Sequence, residues 1–252
     1  MFRISAVRSD AGRRSAPRRS AWWVMLGLPA LVPAILAVAE VTSLSVSPTD
    51  ISSRISATGT VKVSGFTGLS NRLANVTVTL ANSNPSVLIV PATVVVGPPL
   101  GANTFTVSAV AGAAGCGTIS ARVGTTPTKS TVVFVPPPPA PAQTPLRLAV
   151  PAQIVGVPTT TTGTVSLLLP VQQPPPNGVV QLTSSNPAVR VPPSVTVALH
   201  VDEMGVLLGQ ASFPITLTTS FSTNSCSVIT GTTAGAQGRG LLKILPSSAI
   251  GG

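Results

Sequence analysis

The side chains best suited to nucleophilic chemistry lie together at one point of this chain. The 252 residues include one histidine, His200, and its nearest acids are Asp202 and Glu203. Nucleophilic catalysis requires a base beside the nucleophile and a third group that orients the base. All three residues fall in one predicted loop, with no Gly-x-Ser-x-Gly turn nearby. We interpret them as a solvated polar hairpin and predict no catalytic residue and no enzyme.

The carboxylates are too scattered for acid–base or metal chemistry. After residue 39 the chain has Glu40, Asp50, Asp202 and Glu203. Glycoside hydrolysis needs two carboxyl groups across one cleft, and calcium needs six to eight oxygen ligands. Zinc would need further ligands beyond His200 and a remote cysteine. We therefore expect no metal and no cofactor.

The positive charge is concentrated in the first residues of the chain. The chain has 15 Lys and Arg against five Asp and Glu, a net charge of +10. Six arginines and Asp10 precede residue 40, so nine bases and four acids remain, a net charge of +5. Those bases stand singly, whereas nucleic-acid binding needs a clustered basic face, usually with aromatic platforms. We expect no nucleic-acid partner.

Residues 1–39 have the pattern of an export signal. A basic segment precedes the uncharged stretch 21–39, which ends in Ala37-Val38-Ala39. Small residues at Ala37 and Ala39 suit the shallow pockets of signal peptidase, so we predict cleavage after Ala39. The alternative is an uncleaved signal anchor, in which residues 21–39 form an apolar helix and the chain's only membrane contact. In both cases the rest of the chain is secreted, periplasmic or at the cell surface.

Arg18-Arg19 also raises the twin-arginine export route. The residues that follow, Ser20 to Trp23, match its polar-then-bulky consensus poorly. We favour a generic basic segment.

The remaining chain has the period-2 alternation of β-strands. In Val76 to Leu80 the apolar residues alternate with threonines, and Thr104 to Ser108 repeats the pattern. Such alternation of β-branched residues places one face of each strand inward. The predicted strands are 42–47, 57–64, 75–81, 87–90, 93–97, 104–110, 116–123 and 130–135, followed by 146–150, 161–169, 178–184, 189–191, 194–200, 211–218, 226–232 and 240–245. Short strands between Gly, Pro and Asn turns predict antiparallel two-sheet sandwiches.

Several motifs occur twice at nearly constant spacing. Ser83-Asn84-Pro85 recurs 102 residues later as Ser185-Asn186-Pro187, and Gly59-Thr60-Val61 recurs 104 residues later as Gly163-Thr164-Val165. A cysteine that begins a strand of small residues recurs after 110 residues. This spacing indicates a duplicated β-domain of roughly 100 residues.

The order of these motifs resembles the bacterial immunoglobulin-like repeats of secreted and surface proteins, including adhesins of the invasin–intimin kind. The matching motifs are Gly-Thr-Val, Val-x-Leu-x-Ser-Asn-Pro, Val-Pro-x-x-Val-x-Val and Phe-x-Val or Phe-x-Ile, over 42–135 and 146–245. The resemblance implies two tandem Ig-like sandwiches, residues 40–135 and 146–252, and is more informative about fold than function. Leu199 to Gly209 departs from the pattern and is interpreted as a longer hairpin loop.

A proline-rich segment, 136–145, lies between the two predicted domains. Proline fixes φ and donates no hydrogen bond, so these residues are expected to be extended as polyproline II. At ~3.1 Å per residue the segment would span roughly 30 Å. We expect this linker to hold the two sandwiches apart.

The two cysteines, one in each repeat, raise the question of a disulfide in an exported protein. Cys116 should point outward at the start of its strand, and Cys226 occupies the same pole of the second repeat. A disulfide needs Cα atoms within roughly 7 Å, and an extended array would place the cysteines about one domain length apart. We predict separate thiols or intermolecular bridges; burial as small hydrophobic residues would also fit this separation.

Aromatic side chains are scarce after the signal, where the chain has five phenylalanines and no Trp or Tyr. Phe105, Phe134 and Phe213 fall on predicted inward positions, whereas Phe66 and Phe221 are loop candidates. Sugar-binding and protein-binding surfaces rely on exposed aromatic faces. The scarcity argues against a dedicated lectin-like face.

These observations predict an exported, non-enzymatic structural or adhesive module of the cell surface or extracellular space. One alternative is a glycan- or protein-binding accessory module of a secreted system, and another is an accessory piece of a secreted enzyme. Partners would be other surface proteins or glycans. Unpaired edge strands also offer a route to self-association.

Overall fold

The computed structural model describes residues 39–52, 55–65, 75–98, 101–139, 145–170, 178–201, 203 and 206–250. The described residues all belong to one compact unit. The predicted signal segment lies outside the described residues apart from Ala39. No helix within the described residues is long and apolar enough to cross a membrane.

In the first half, residues 39–139, the described segments form eight strands. Their bounds are β1 Glu40–Ser47, β2 Ala57–Ser64, β3 Val76–Asn82, β4 Leu88–Ile89, β5 Thr93–Val96, β6 Ala102–Ala109, β7 Gly115–Arg122 and β8 Lys129–Val135. One sheet has the order β1-β2-β6-β4 and the other β5-β3-β7-β8. The two sheets face each other as a sandwich around one hydrophobic core.

The second half, residues 145–250, repeats this arrangement with longer strands. Their bounds are β9 Leu146–Ala149, β10 Gln153–Val155, β11 Thr159–Pro170, β12 Val179–Ser184, β13 Val189–Arg190, β14 Ser194–Thr196, β15 Leu199–Val201, β16 Val206–Leu217, β17 Ser225–Thr233 and β18 Ala236–Leu245. The sheets are β10-β18-β17-β12-β14 and β13-β16-β11-β9, with β15 also paired to β16. They enclose a second, separate core. A turn of 3-10 helix, Ser247–Ile250, follows β18.

The alternation in sequence explains which face of each strand is buried. In β2, Ala57, Gly59, Val61 and Val63 are buried and the residues between them are exposed or half-buried. β-Branched residues fit this half-buried pleated surface, and each valine removed from water contributes about 1.5–3 kcal/mol. The all-β prediction is therefore confirmed.

The predicted strand positions agree closely with the observed ones, with three departures. β10 was not predicted, and it pairs in parallel with β18, so the second sandwich is not wholly antiparallel. In the first half Asp50 makes a parallel bridge to Phe134. In each case the chain leaves its first sheet after one strand and crosses to the other. The predicted loop Leu199 to Gly209 is instead largely strand, because β15 pairs with the first residues of β16. The predicted strand 194–200 correspondingly ends at Thr196, the end of β14.

The expectation that the proline-rich linker holds the two sandwiches apart is wrong. Residues 136–139 are not in a strand, and 140–144 lie outside the described residues. Phe134, just before the linker, packs with Leu241 of the second half. The linker therefore allows the second sandwich to fold back against the first.

Candidate functional site

Two outward sheet faces meet where the sandwiches touch. Burial alternates along β7, whereas the end of β8 is buried on both faces. Val133 packs in the first core, while Cys116 and its cross-strand partner Phe134 face the other way. The equivalent strands of the second half, β17 and β18, place Cys226 opposite Lys243. The interface cluster consists of Cys116, Val132, Phe134, Cys226, Val228 and Leu241. This apolar cluster is separate from both sandwich cores.

The two cysteines form a disulfide across this interface. The Cα atoms of Cys116 and Cys226 are 6.2 Å apart, within the usual range. The prediction of separate thiols or intermolecular bridges is therefore wrong. An extended array would separate the two cysteines, whereas in the structure the two halves are in contact at the strands that carry them.

The contact joins equivalent positions of the two repeats. Phe134 is paired with Cys116 in the same way that Lys243 is paired with Cys226. The Lys243 Nζ lies 5.2 Å from the centre of the Phe134 ring, within cation–π range. Cys116 therefore contacts its equivalent, Cys226, and Phe134 contacts its equivalent, Lys243. Residues at a two-fold axis of a homodimer contact each other in the same way.

An ion pair lies at the edge of the interface cluster. The Lys243 Nζ donates to the Asp50 Oδ2 at 2.6 Å. The side chains of Lys243 and Asp50 are 24% and 51% exposed, so solvent screens their attraction. The ion pair helps orient the halves but contributes less energy than burial of Phe134.

Each of the two Ser-Asn-Pro turns is hydrogen-bonded to the cysteine-bearing strand of its own half. The Asn84 Nδ2 donates to the Cys116 carbonyl at 3.2 Å, and the Asn186 Nδ2 donates to the Cys226 carbonyl at 3.1 Å. The serines before them accept from the backbone N–H groups of Thr118 and Val228, both at 2.9 Å. The motif recognised in the sequence thus fixes the cysteine-bearing strands in both halves.

Of the other polar candidates, His200 and Glu203 are among the described residues, and both are exposed. His200 lies on β15, Glu203 lies in the following turn, and Asp202 lies outside the described residues. Within the described part of the chain, no group of three or more His, Cys, Asp or Glu residues could hold a metal ion.

Of the two predicted cleavage residues, Ala39 is among the described residues. Ala37 lies outside the described residues. Ala39 is half-buried and packs against the first core.

The positions of the phenylalanine side chains agree only in part with the prediction. Phe105 and Phe213 are buried in the sandwich cores as expected. Phe134 is buried too, but it points out of its sandwich into the interface cluster, so its predicted position in the core is wrong. Phe221 packs partly buried against the second core, and Phe66 lies outside the described residues.

The sequence contained two signals of the interface. Cys116 and Cys226 have the same phase on equivalent strands, which is what a symmetric contact between duplicated domains requires. The outward apolar residues Phe134 and Leu241 are a second signal, because an outward apolar residue needs a cover.

Comparison with known proteins gives structural neighbours and no sequence relative. No protein family matches the sequence, and no curated protein is significantly similar to it. Among solved structures, the D0-D1 domain of intimin is 13% identical with a TM-score of 0.33, covering 82% of this chain and 99% of that one. The Yersinia pseudotuberculosis adhesin InvE is 12% identical with a TM-score of 0.28, covering 80% and 58%.

Invasin, a bacterial integrin-binding protein, is 12% identical with a TM-score of 0.31, covering 81% of this chain and 40% of that one. This chain therefore spans less than two thirds of the compared InvE and invasin chains. The neighbours include the invasin–intimin adhesins whose repeats the sequence resembles. TM-scores of this size support no transfer of ligand or activity.

Proposed function

We propose that this chain is an exported, non-enzymatic structural and adhesive module of the cell surface or extracellular space. Its two Ig-like sandwiches, 40–135 and 146–252, are joined by the proline-rich linker 136–145. The observation that carries the proposal is the Cys116–Cys226 disulfide between the sandwiches.

Export is supported by the disulfide together with the first 39 residues. Disulfides persist in secreted, periplasmic and surface proteins, whereas the cytosol keeps thiols reduced. A basic segment, an apolar stretch and Ala37-Val38-Ala39 describe a signal that directs a chain to such a compartment. The two features are independent of each other and favour the same location.

The mechanical role follows from how the interface limits relative motion. Sandwiches joined only by a linker would reorient freely, because contacts between domains are usually small and polar. Here a covalent bond crosses the interface, and Phe134 and Leu241 are buried beside it. The pair therefore transmits force and presents its outer faces in a fixed relation.

Expression of the full chain in a bacterial host tests export. We expect the exported protein to begin at Glu40 and to have an intact mass lower, by two hydrogen atoms, than that of its chemically reduced form. A Cys116→Ser/Cys226→Ser variant is the control, because reduction should leave its mass unchanged. Retention of the chain in the cytoplasm with free thiols would contradict the proposal.

The adhesive role is tested by displaying the full chain on a non-adherent host. Cells that display the chain should attach to host-cell or extracellular-matrix surfaces more than cells without it. Equal attachment by both would exclude adhesion and leave the structural role. Since display itself is measured separately, failure of export and failure of adhesion are distinguishable.

A further inference from the structure

The disulfide between the two halves borders an open groove. The groove has a volume of about 490 Å³ and is lined by both Cys116 and Cys226. Ser86, in the first Ser-Asn-Pro turn, borders it on one side, and Ser185, in the second turn, borders it on the other. Each half has its own core, and neither core lies between the groove and the disulfide. A small molecule can therefore reach the disulfide while both sandwiches stay folded.

The two cysteines are buried to different extents. Cys226 is 9% exposed and belongs to the buried part of the interface cluster. Cys116 is half-buried and packs against that buried part. The rate of thiol–disulfide exchange depends on access to the sulfur that is attacked. Access therefore favours attack by an external thiol on Cys116.

The residues opposite the two cysteines differ in charge. Lys243 lies opposite Cys226, whereas Phe134 lies opposite Cys116. Directly opposed residues have Cβ atoms about 5 Å apart. The sulfur that leaves in thiol–disulfide exchange carries a negative charge, and a nearby ammonium group stabilises a thiolate. Although the Lys243 Nζ also binds the Asp50 carboxylate, it still makes Cys226 the better leaving sulfur, because the neighbour of Cys116 is an uncharged ring.

We propose that Cys116 is a site of reversible S-thiolation, at which a low-molecular-weight thiol opens the link between the two halves. The small thiolate attacks the Cys116 Sγ and forms a mixed disulfide with it, while the bond between the two cysteines breaks. The electron pair of that bond leaves on the Cys226 Sγ, which takes a proton from water. A second small thiolate then attacks the small sulfur of the mixed disulfide. Cys116 is released as a thiol, and the two small thiols are oxidised to one small disulfide.

The backbone around each cysteine is held within its own half. The Asn84 side chain donates to the Cys116 carbonyl, and the Asn186 side chain donates to the Cys226 carbonyl. These hydrogen bonds do not depend on the disulfide. S-thiolation therefore frees the halves from each other without unfolding them, and the cystine forms again when the halves return to contact.

Opening the disulfide leaves only the noncovalent part of the contact. Phe134 packs with Leu241, and the ion pair between Lys243 and Asp50 is partly exposed to solvent. Small contacts between domains usually allow the domains to reorient. The S-thiolated chain therefore adopts open arrangements in which Phe134 and Leu241 are exposed. An adhesive module would then change the relation of its outer faces with the redox state of its surroundings, a consequence that rests on the proposed function.

Brief incubation of the oxidised full chain with glutathione, followed by alkylation with iodoacetamide and peptide mass spectrometry, locates the attacked sulfur. We expect glutathione on Cys116 and the alkyl group on Cys226 in about ten times the amount of the reverse pattern. Equal amounts, or a preference for glutathione on Cys226, would overturn the inference.

The same reaction in urea distinguishes attack on the folded chain from attack on the unfolded chain. Below the unfolding transition, the rate of glutathione addition should stay constant, because the groove is already open. A rate that rises in parallel with the unfolded fraction would show that only the unfolded chain reacts, and the inference would fail.

Ser86→Phe tests access through the groove. Ser86 is exposed, and its hydroxyl donates to the Asn84 Oδ1 at 2.7 Å. A phenyl ring there would narrow the groove and should slow the reaction about tenfold, since exchange depends on access. Ser86→Ala is the matched control, because it loses the same hydrogen bond but leaves the groove open. Equal rates in these two variants would contradict the proposal.

Thermal unfolding shows whether each variant is folded. If Ser86→Phe does not fold, Thr183→Phe replaces it with Thr183→Ala as its control, because Thr183 is exposed on β12 and also borders the groove. A chain that is exported and adhesive but resists glutathione would refute the site at Cys116 and leave the proposed function intact. A chain that reacts at Cys116 but is not exported would do the opposite.

Discussion

Gly59 and Phe105 lie opposite each other on β2 and β6, and the Phe105 ring occupies the space that a Cβ on Gly59 would need. Gly163 and Phe213 repeat this relationship on β11 and β16. The glycine of each Gly-Thr-Val motif is therefore the site where the phenylalanine of the Phe-x-Val or Phe-x-Ile motif is packed.

Gly59→Ala should destabilise the first half because its new methyl group would collide with the ring. We expect a loss of about 1–3 kcal/mol in the free energy of unfolding, typical of an overpacked core. Chemical denaturation followed by circular dichroism measures the loss. The same substitution in a Phe105→Leu background should have a smaller effect, and additive effects would contradict the explanation.

Asn186→Ala should loosen the turn that holds the second cysteine strand. The Asn186 side chain donates to the Cys226 carbonyl and accepts from the Ala188 N–H at 3.0 Å. Losing a half-buried group with two partners should destabilise the second half by about 1–3 kcal/mol. Asn103→Ala is the control, because the Asn103 bond to Val95 is exposed and its loss should have a smaller effect. Thermal unfolding of both variants compares them; equal shifts would mean that the turn has no special role.

Replacing both cysteines by serine should open the interface without unfolding either sandwich. Each half has its own core, whereas the disulfide closes a separation of 110 residues in the unfolded chain. Loop-closure entropy gives about 4–5 kcal/mol as an upper value for the loss of stability.

Hydrogen exchange followed by mass spectrometry locates that change. Exchange should rise in β7 and β17 and stay unchanged in β2 and β11. A rise throughout both cores would show that the disulfide maintains the sandwiches themselves, contrary to this expectation.

Phe134→Ala should destabilise the contact between the halves much more than Asp50→Asn. Phe134 is 6% exposed, and deleting a buried phenyl ring costs about 3–5 kcal/mol. Asp50 is 51% exposed in its pair with Lys243, so the loss there should stay under about 1 kcal/mol. Denaturation of the two variants in parallel measures the difference. A larger effect for Asp50→Asn would show that charge, rather than burial, holds the interface.

The sequence by itself determined most of the strands, the repeated motifs and several inward core positions in each half. Alternation is a local property, so the inward positions of Phe105 and Phe213 followed directly from their strands. The tertiary structure alone decided the Cys116–Cys226 bond and the outward position of Phe134. Both depend on how one complete sandwich lies against the other. Period-2 alternation distinguishes the two faces of a strand but carries no information about which outer face another domain covers.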